Sequence, residues 1–285
     1  MRRNIRGLEE IIKNYEAFLI DLWGVVHNGV KLFPNILKVL KKIKEYNKEV
    51  IFITNAPRRS NVIKDQLKFF GVDYSSYKDV ISSGEISYEK MKTLIANSHR
   101  KLFCYHIGPS RDNNLIDSLN LTITKEVSKT DFILNTGPWG DDDILENYTN
   151  ILDNLRKKNL PMICSNPDKV VIRDENFMIC AGLLAEYYEN IGGIVEYFGK
   201  PLPLIYNVCF EKLKTKNKKK ILVIGDSLEN DIKGANMQGL DSILVTSGIH
   251  RRVNNNNMNI DIKKLDDLMN KKNIFAKYYI YELCW

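Results

Sequence analysis

Three short runs of apolar residues in this chain each end in polar residues, and each is followed by a helical pattern. The runs occupy residues 17–21 (AFLID), 50–55 (VIFITN) and 221–226 (ILVIGD). Their apolar residues are continuous and do not alternate with polar ones, which is typical of strands buried on both faces of a sheet. The pattern therefore predicts an α/β fold with a doubly wound, Rossmann-like parallel sheet.

Polar side chains stand at the carboxyl end of each predicted strand. The first strand ends in Asp21, the second in Thr54 with Asn55, and the third in Asp226. Ligands bind at the carboxyl ends of strands in open α/β sheets, so we expect these side chains to converge on one pocket. Two carboxylates and a hydroxyl group in one pocket indicate Mg²⁺-assisted chemistry on a phosphate.

Helical patterns follow the first two predicted strands. Pro34 favours the first turn of one helix. The apolar face predicted for this helix consists of Ile36, Leu37, Leu40 and Ile43. The next helix is expected to begin with Ser60 as its N-cap and to end at Gly71. This β-α-β-α order is the doubly wound pattern.

The long interval between the second and third strands predicts an inserted α/β domain. We expect a core domain of residues 1–84 and 191–285 and an inserted domain of residues 85–190. The candidate strands of the insertion span residues 101–107, 131–134 and 161–165. Its candidate helices span residues 111–119, 143–157 and 181–190. A last strand is predicted within residues 277–285.

Composition and charge exclude several classes of protein. The 285 residues are 44% hydrophobic and 27% charged, as in a globular protein. There is no run of 18 apolar residues and no signal-peptide pattern, so we predict a cytoplasmic location without membrane partners. The net charge of +7 is spread out apart from residues 212–220, whose lysines complement a helix end. No nucleic-acid motif is present, so no nucleic-acid partner is predicted.

Four segments carry residues suited to phosphoryl transfer. The Asp21 carboxylate can attack phosphorus and form an aspartyl-phosphate. The Thr54 hydroxyl and the next backbone N–H can donate to phosphate oxygens. Pro201 suits the first position of a helix, which would place Lys200 at a helix N-terminus, where its charge stabilises a phosphoryl group.

The fourth segment, residues 225–231, has the form G-D-x-x-x-N-D and carries two acids at one strand end. Asp226 is the expected metal ligand. Asp231 is expected to orient Lys200 or a metal-bound water. This segment is the most specific of the four.

In their fixed order, these segments resemble the motifs of the haloacid dehalogenase-like phosphohydrolase superfamily. The insertion between Thr54 and Lys200, the Cys-Ser-Asn-Pro-Asp segment at residues 164–168 and the downstream Gly-Lys-Pro are similar to the class IIA capped branch. That branch includes the NagD-like and nitrophenylphosphatase-like enzymes. The resemblance implies a Mg²⁺-dependent phosphatase that acts on a small phosphate ester and has an inserted cap.

The resemblance also implies roles for particular residues. Mg²⁺ would be held by Asp21, Asp226 and the backbone carbonyl of Trp23, while Thr54, Asn55 and Lys200 would neutralise the phosphate oxygens. Asn166, in the Asn-Pro-Asp turn of the cap, would face the substrate. Because capped relatives often pair through the cap, a homodimer is also implied.

Trp23 departs from the family's D-x-D pattern, in which the second Asp transfers a proton. An indole cannot transfer a proton in this pH range, although the backbone carbonyl remains. The enzyme would then act weakly or on good leaving groups, or another residue such as His27 would supply the proton. For His27 itself, the sequence favours a hydrogen-bonded loop residue. Alternatively, the chain is a catalytically weak phosphate-binding or regulatory protein on the same scaffold.

Overall fold

Two parallel sheets organise the chain in the computed structural model, which describes residues 3–173 and 176–285. The strands of the described residues are, in chain order, β1 (Arg3–Asn4), β2 (Ala17–Ile20), β3 (Glu49–Thr54), β4 (Asp79–Ser82), β5 (Leu102–Ile107), β6 (Leu121–Ile123), β7 (Phe132–Asn135), β8 (Pro161–Cys164), β9 (Val170–Arg173), β10 (Asn176–Ile179), β11 (Ile194–Tyr197), β12 (Ile221–Gly225), β13 (Asp241–Val245) and β14 (Tyr278–Ile280). The α-helices of the same residues are α1 (Ile36–Glu45), α2 (Ser60–Phe69), α3 (Ser83–Ala96), α4 (Glu146–Lys157), α5 (Ala181–Asn190), α6 (Pro203–Lys212), α7 (Lys233–Gln238) and α8 (Ile262–Lys272). The predicted α/β fold class is therefore confirmed.

The first of two compact units contains the larger sheet. It comprises the described residues of Met1–Thr54, Ile63–Ile81 and Lys200–Trp285. The seven-stranded sheet has the order β1-β14-β13-β12-β2-β3-β4, so the three strands predicted from the apolar runs, β12, β2 and β3, are neighbours. They pair in parallel, and every residue of β2 and β12 is buried. Continuous apolar sequence and burial on both faces thus coincide.

Helix α1 has a different buried face from the predicted one. Ile36, Leu40 and Ile43 are buried as expected, but Leu37 is 49% exposed and Val39 is buried in its place. The predicted burial is therefore confirmed at three of the four positions and is wrong at Leu37. The β-branched Val39 lies one residue before Leu40, so the apolar stripe is shifted around the helix axis from the predicted one.

The second unit contains a five-stranded parallel sheet. It comprises Asn55–Val62 and the described residues of Ser82–Gly199. The sheet order is β11-β8-β7-β5-β6, and β9 and β10 form a separate antiparallel pair. The core of this unit includes side chains of β7, α4 and α5, such as Ile133, Leu152 and Leu184. The predicted strands at residues 101–107, 131–134 and 161–165 are confirmed. The division of roles between a core and a cap stays a prediction.

Several predicted elements are shorter than expected. The helix predicted over residues 111–119 is instead a 3₁₀ helix at Ser110–Leu115, where the Asn114 side chain bonds the Arg111 carbonyl at 2.7 Å. Asn and Asp side chains compete in this way with helical backbone bonds. The last predicted strand is confirmed only at β14. Among the described residues, no helix has both the length and the apolar character required to cross a bilayer.

Candidate active site

The site is built where three neighbouring strands of the first unit end. Asp21 directly follows β2, Thr54 is the last residue of β3, and Asp226 directly follows β12. The ends of β2 and β12 are held in register by the Asp21 N–H, which donates to the carbonyl of Ile224 at 2.8 Å. All three polar side chains are buried, with 4–8% of their surface exposed. Parallel pairing therefore places these residues along one edge of the sheet, as predicted.

Three carboxylates and one ammonium group form the centre of the site. Oxygen atoms of Asp21, Asp226 and Asp231 all lie within 4.8 Å of one another. The Lys200 ammonium group donates to Oδ1 of Asp21 at 2.5 Å and to Oδ1 of Asp231 at 2.7 Å. Lys200 is 2% exposed and Asp231 is 1% exposed. The structure thus brings together the predicted nucleophile, the predicted metal ligand and the predicted lysine–aspartate pair.

Lys200 reaches the site from a turn, and the predicted helix N-terminus is wrong. Helix α6 begins at Pro203, so Lys200 lies three residues before its first residue. The residue that precedes a proline is disfavoured in helical conformation, and Leu202 is accordingly extended, with φ −68° and ψ 145°. A helix therefore cannot run from Pro201 through Leu202, and the second proline of the Pro-Leu-Pro sequence starts it.

The buried charges perturb one another strongly. Burial raises the pKa of Asp21 well above its usual range; Lys200 opposes this rise, and Asp231 and Asp226 add to it. Burial alone would lower the pKa of Lys200, but the carboxylates of Asp21 and Asp231 raise it. With all groups ionised, three carboxylates face one ammonium. In that state the buried cluster would carry two negative charges in excess, which is why burial and the neighbouring carboxylates raise the pKa of Asp21.

The donor set fits a divalent cation. Mg²⁺ prefers carboxylate and carbonyl oxygens, and two positive charges would balance the excess. Two glycines leave room for the Asp226 carboxylate. A methyl group added at Gly24 would lie 2.2 Å from Oδ2 of Asp226, and a methyl group added at Gly248 would lie 2.0 Å from the same atom, so any side chain at either position would collide with it. Gly24 also has a φ of +84°, which favours glycine. The family-implied metal is thus compatible with the residues present.

The two remaining predicted site residues, Asn55 and Asn166, meet in the second unit around Asp168. The Asn55 amide donates to Oδ1 of Asp168 at 2.8 Å, and the Asp168 N–H donates to Oδ1 of Asn166 at 3.0 Å. Asp168 lies with Asn166 in the Asn-Pro-Asp turn that the family resemblance places toward the site, but only Asn166 was predicted to contact the substrate. The position of Asp168 in this turn is the signal that could have singled it out.

Comparisons with known proteins agree with this geometry. A model of the haloacid dehalogenase-like hydrolases matches residues 18–122, and a second model, of HAD-hydrolase-like proteins, matches residues 197–268. A crystal structure of a hydrolase of the haloacid dehalogenase-like family from Brucella suis 1330 is 30% identical in sequence. The match covers 98% of this chain and 99% of the Brucella chain, with a TM-score of 0.83. This chain belongs to the haloacid dehalogenase-like hydrolases.

The predicted family and the prediction of a phosphatase of the haloacid dehalogenase type are therefore confirmed. An acid sugar phosphatase from Staphylococcus haemolyticus is 20% identical over 240 residues, which are 84% of this chain and 88% of the relative. A p-nitrophenyl phosphatase from Archaeoglobus fulgidus shares the fold at 19% identity, with a TM-score of 0.70 and coverage of 94% and 97%. A glycerol phosphate phosphatase from Mycobacterium tuberculosis, solved with magnesium, shares it at 19% identity, with a TM-score of 0.63 and coverage of 87% and 71%.

In this haloacid dehalogenase-like hydrolase, the loop after Asp21 is packed around aromatic rings. The Trp23 indole lies edge-to-face on the His27 imidazole at 5.9 Å, and His27 lies 5.3 Å from the ring of Phe70. The indole also packs on Gly29, where an added methyl group would lie 2.3 Å from a ring carbon. Trp23 is therefore held by its own loop.

His27 is held in the same loop by hydrogen bonds. The Gly29 N–H donates to Nδ1 of His27 at 3.0 Å, so Nδ1 acts as an acceptor. The His27 carbonyl accepts from the Gly24 N–H at 2.9 Å, and the side chain is 4% exposed. These contacts fit the expectation of a hydrogen-bonded loop histidine.

Proposed function

We propose that this hydrolase is a Mg²⁺-dependent phosphatase that cleaves a small phosphate ester through an aspartyl-phosphate on Asp21. The observation that carries the proposal is the buried cluster in which Lys200 contacts Asp21 and Asp231, with Asp226 within 4.8 Å. A carboxylate that follows a buried strand and is fixed by a buried lysine is oriented before substrate binds. Preorganised charge of this kind is the usual source of catalysis at phosphoryl groups.

In the proposed reaction, a carboxylate oxygen of Asp21 attacks phosphorus while the bond from phosphorus to the ester oxygen breaks. The ester oxygen leaves with the bonding electron pair and takes up a proton. Water then cleaves the acyl phosphate and releases inorganic phosphate and free Asp21. Lys200 supports both steps by opposing the negative charge, and Asp231 holds Lys200 in place.

Hydrogen-bond donors assist in binding the phosphate. We assign this role to the Thr54 hydroxyl, Asn55 and Lys200, and assign Asn166 to the remainder of the substrate. Asp168 positions Asn55 through the 2.8 Å hydrogen bond between their side chains. Sugar phosphates and aryl phosphates are the substrate classes to test, because the similar proteins include an acid sugar phosphatase and a p-nitrophenyl phosphatase.

Asp21, Asp226 and the Trp23 carbonyl would hold the magnesium ion. When bound, Mg²⁺ supplies charge neutralisation at the phosphate oxygens. The excess of two negative charges in the buried cluster and the carboxylate donors support this assignment. The magnesium-containing relative from Mycobacterium tuberculosis adds to that support.

Trp23 supports the proposal that the enzyme acts weakly or only on phosphate esters with good leaving groups. General acid–base catalysis is typically worth about 10²–10⁴-fold, and an indole cannot provide it. Substrates whose leaving groups depart without a proton, such as aryl and acyl phosphates, would be least affected. A catalytically weak phosphate-binding or regulatory protein is the second candidate, and the same tryptophan is the observation that favours it. A cytoplasmic location and a homodimer formed through the inserted unit also stay proposals.

The deciding experiment is phosphate release by the purified protein over a panel of alkyl, sugar, aryl and acyl phosphates, with and without Mg²⁺. Asp21→Asn, which removes the nucleophile and keeps the side-chain shape, is the matched blank. We expect Mg²⁺-dependent release that is absent in the blank and largest for aryl and acyl phosphates. Equal release by the blank would overturn the role of Asp21. Binding of phosphate compounds without release would favour the regulatory alternative.

A further inference from the structure

The loop that follows β13 contacts the loop that follows β12 through two opposed hydrogen bonds. The Ile249 N–H donates to Oδ2 of Asp226 at 2.8 Å. In the opposite direction, the Leu228 N–H donates to Nε2 of His250 at 3.1 Å. Each loop thus donates a backbone N–H to a side chain of the other. We refer to Asp226, Leu228, Ile249 and His250 as the clasp.

The loop that carries His250 is anchored independently of the clasp. The N–H groups of Thr246 and Ser247 donate to the carbonyls of Ile280 and Tyr281, both at 2.9 Å, along β14 and just beyond it. Gly248 then passes so close to Asp226 that any side chain there would collide with the carboxylate. The position of the Asp226 oxygen is therefore set by a backbone that is itself tied to the sheet.

The loop that carries Asp226 depends on a side chain to complete its hydrogen bonds. Leu228 begins a π-helix at Leu228–Ile232, and the N–H groups at the start of a helix have no partner within it. His250 accepts the one from Leu228, two residues after Asp226. The histidine is itself 13% exposed and lies 3.6 Å from Glu229, which pairs with Lys272. The Ser227 N–H of the same turn donates to Oδ2 of Asp231 at 3.1 Å, so loss of the His250 acceptor would loosen the turn at Leu228 without unfolding it.

We propose that His250 is a positioning residue that fixes Asp226 for divalent-cation binding. This inference rests on the proposed function, in which Asp226 is a metal ligand. Residues that orient metal ligands typically account for about 10–100-fold in metal affinity or activity. His250 acts through the Leu228 N–H and the clasp, and it does not contact the metal itself.

Three variants test the proposal. His250→Leu removes the acceptor, and His250→Gln keeps an acceptor at the same reach. His99→Leu makes the same change at an exposed histidine. The affinity for Mg²⁺ is measured by calorimetry and, separately, from the Mg²⁺ concentration that gives half-maximal phosphate release. We expect His250→Leu to weaken Mg²⁺ binding about tenfold or more, with kcat at saturating Mg²⁺ within a few-fold of the original. His250→Gln is expected to restore the affinity to within about threefold, and His99→Leu to leave it unchanged.

An unchanged Mg²⁺ affinity in His250→Leu would overturn the positioning role. The role is also overturned if His250→Gln is as impaired as His250→Leu, or if the original protein binds no divalent cation. If the leucine variant does not fold, His250→Asn, whose side chain is too short to reach the Leu228 N–H, takes its place. Failure of the proposed phosphatase function is recognised separately, as Mg²⁺ binding that persists without phosphate release.

Discussion

At the scale of single residues, a substitution of Trp23 tests the proposal that this residue restricts the chemistry of the site. Trp23→Asp would restore a carboxyl group that can protonate a leaving alkoxide. We expect the ratio of kcat/KM for an alkyl phosphate to that for p-nitrophenyl phosphate to rise about 10²-fold or more, because nitrophenolate departs without a proton. Both values are measured by phosphate release. Because they come from the same protein sample, their ratio does not depend on the fraction of folded protein.

The matched control is Trp23→Asn, which removes the same indole contacts with Gly29 and His27 but supplies no acid. An equal rise of the ratio in the asparagine variant would show that space, and not proton transfer, limits the reaction. A ratio that does not change in the aspartate variant would show that another group already supplies the proton.

Asp112 provides a pH-dependent test of burial in the second unit. The carboxyl group is 3% exposed, and burial raises its pKa from the usual 3.8 to about 6, opposed by Arg58 and Arg111. The folded state therefore retains a proton that the unfolded chain has lost, so this group destabilises the fold as pH rises from about 4 to about 6. A pKa difference of this size corresponds to about 3 kcal/mol.

Asp112→Asn should consequently be no more stable than the original protein at pH 4 and more stable by about 1–3 kcal/mol at pH 7. Denaturant unfolding of both proteins between pH 4 and 7 measures this. Burial lowers the pKa of nearby His106 to about 4, which gives an opposite slope, and comparing the two proteins removes that contribution. Asp117→Asn, at an exposed position in the same segment, is the control. A stability difference that falls as pH rises would contradict the prediction.

At the scale of elements, helix α1 tests whether the observed apolar face is the stabilising one. Leu40 is 2% exposed and Leu37 is 49% exposed, although both were predicted to be buried. Leu40→Ala should lower the free energy of unfolding by about 2–5 kcal/mol. Leu37→Ala, the same substitution one turn away, should change it by no more than about 0.5 kcal/mol. Denaturant unfolding of both variants measures the two losses of stability. Similar losses would show that Leu37 is buried like Leu40, as the sequence pattern predicted, and would contradict the observed face.

The strands that carry the site could be predicted from sequence because burial on both faces leaves a continuous apolar run. Helix α3 was not predicted, because its buried positions include Ser83, Gly84 and Ser87 and do not form a clear apolar stripe. The start of the helix is marked by Ser82, whose hydroxyl accepts from the Glu85 N–H at 3.0 Å. The start of α6 was predicted at Pro201 but lies at Pro203. The conformation of Leu202, the residue before the second proline, decides between the two. The contact of Ile249 with Asp226 joins two loops that are remote in sequence, and no local pattern reports such a contact.

At the scale of the whole molecule, the proposed cation site in the buried cluster of three carboxylates and one lysine predicts that stability depends on divalent cations. Without a cation, repulsion among the buried carboxylates would disfavour the ionised cluster. A bound cation would add RT ln(1 + [L]/Kd) to the free energy of unfolding of the first unit. At a Mg²⁺ concentration 100 times the dissociation constant, this is about 2.7 kcal/mol, or roughly 5–10 °C in the midpoint of thermal unfolding. If the two compact units unfold in separate transitions, as multidomain proteins can, the shift is expected in the transition of the unit that contains the cluster.

Asp226→Asn separates charge balance from general salt effects. The amide removes one negative charge from the cluster, so the variant should unfold at a higher temperature than the original protein in the presence of a chelator. Added Mg²⁺ should then stabilise the original protein and leave the variant almost unchanged, which reverses their order. Asp267→Asn, an exposed position on α8, should follow the original protein under both conditions. If Mg²⁺ stabilised all three proteins equally, its effect would come from the surface, and the buried carboxylates would not be its binding site.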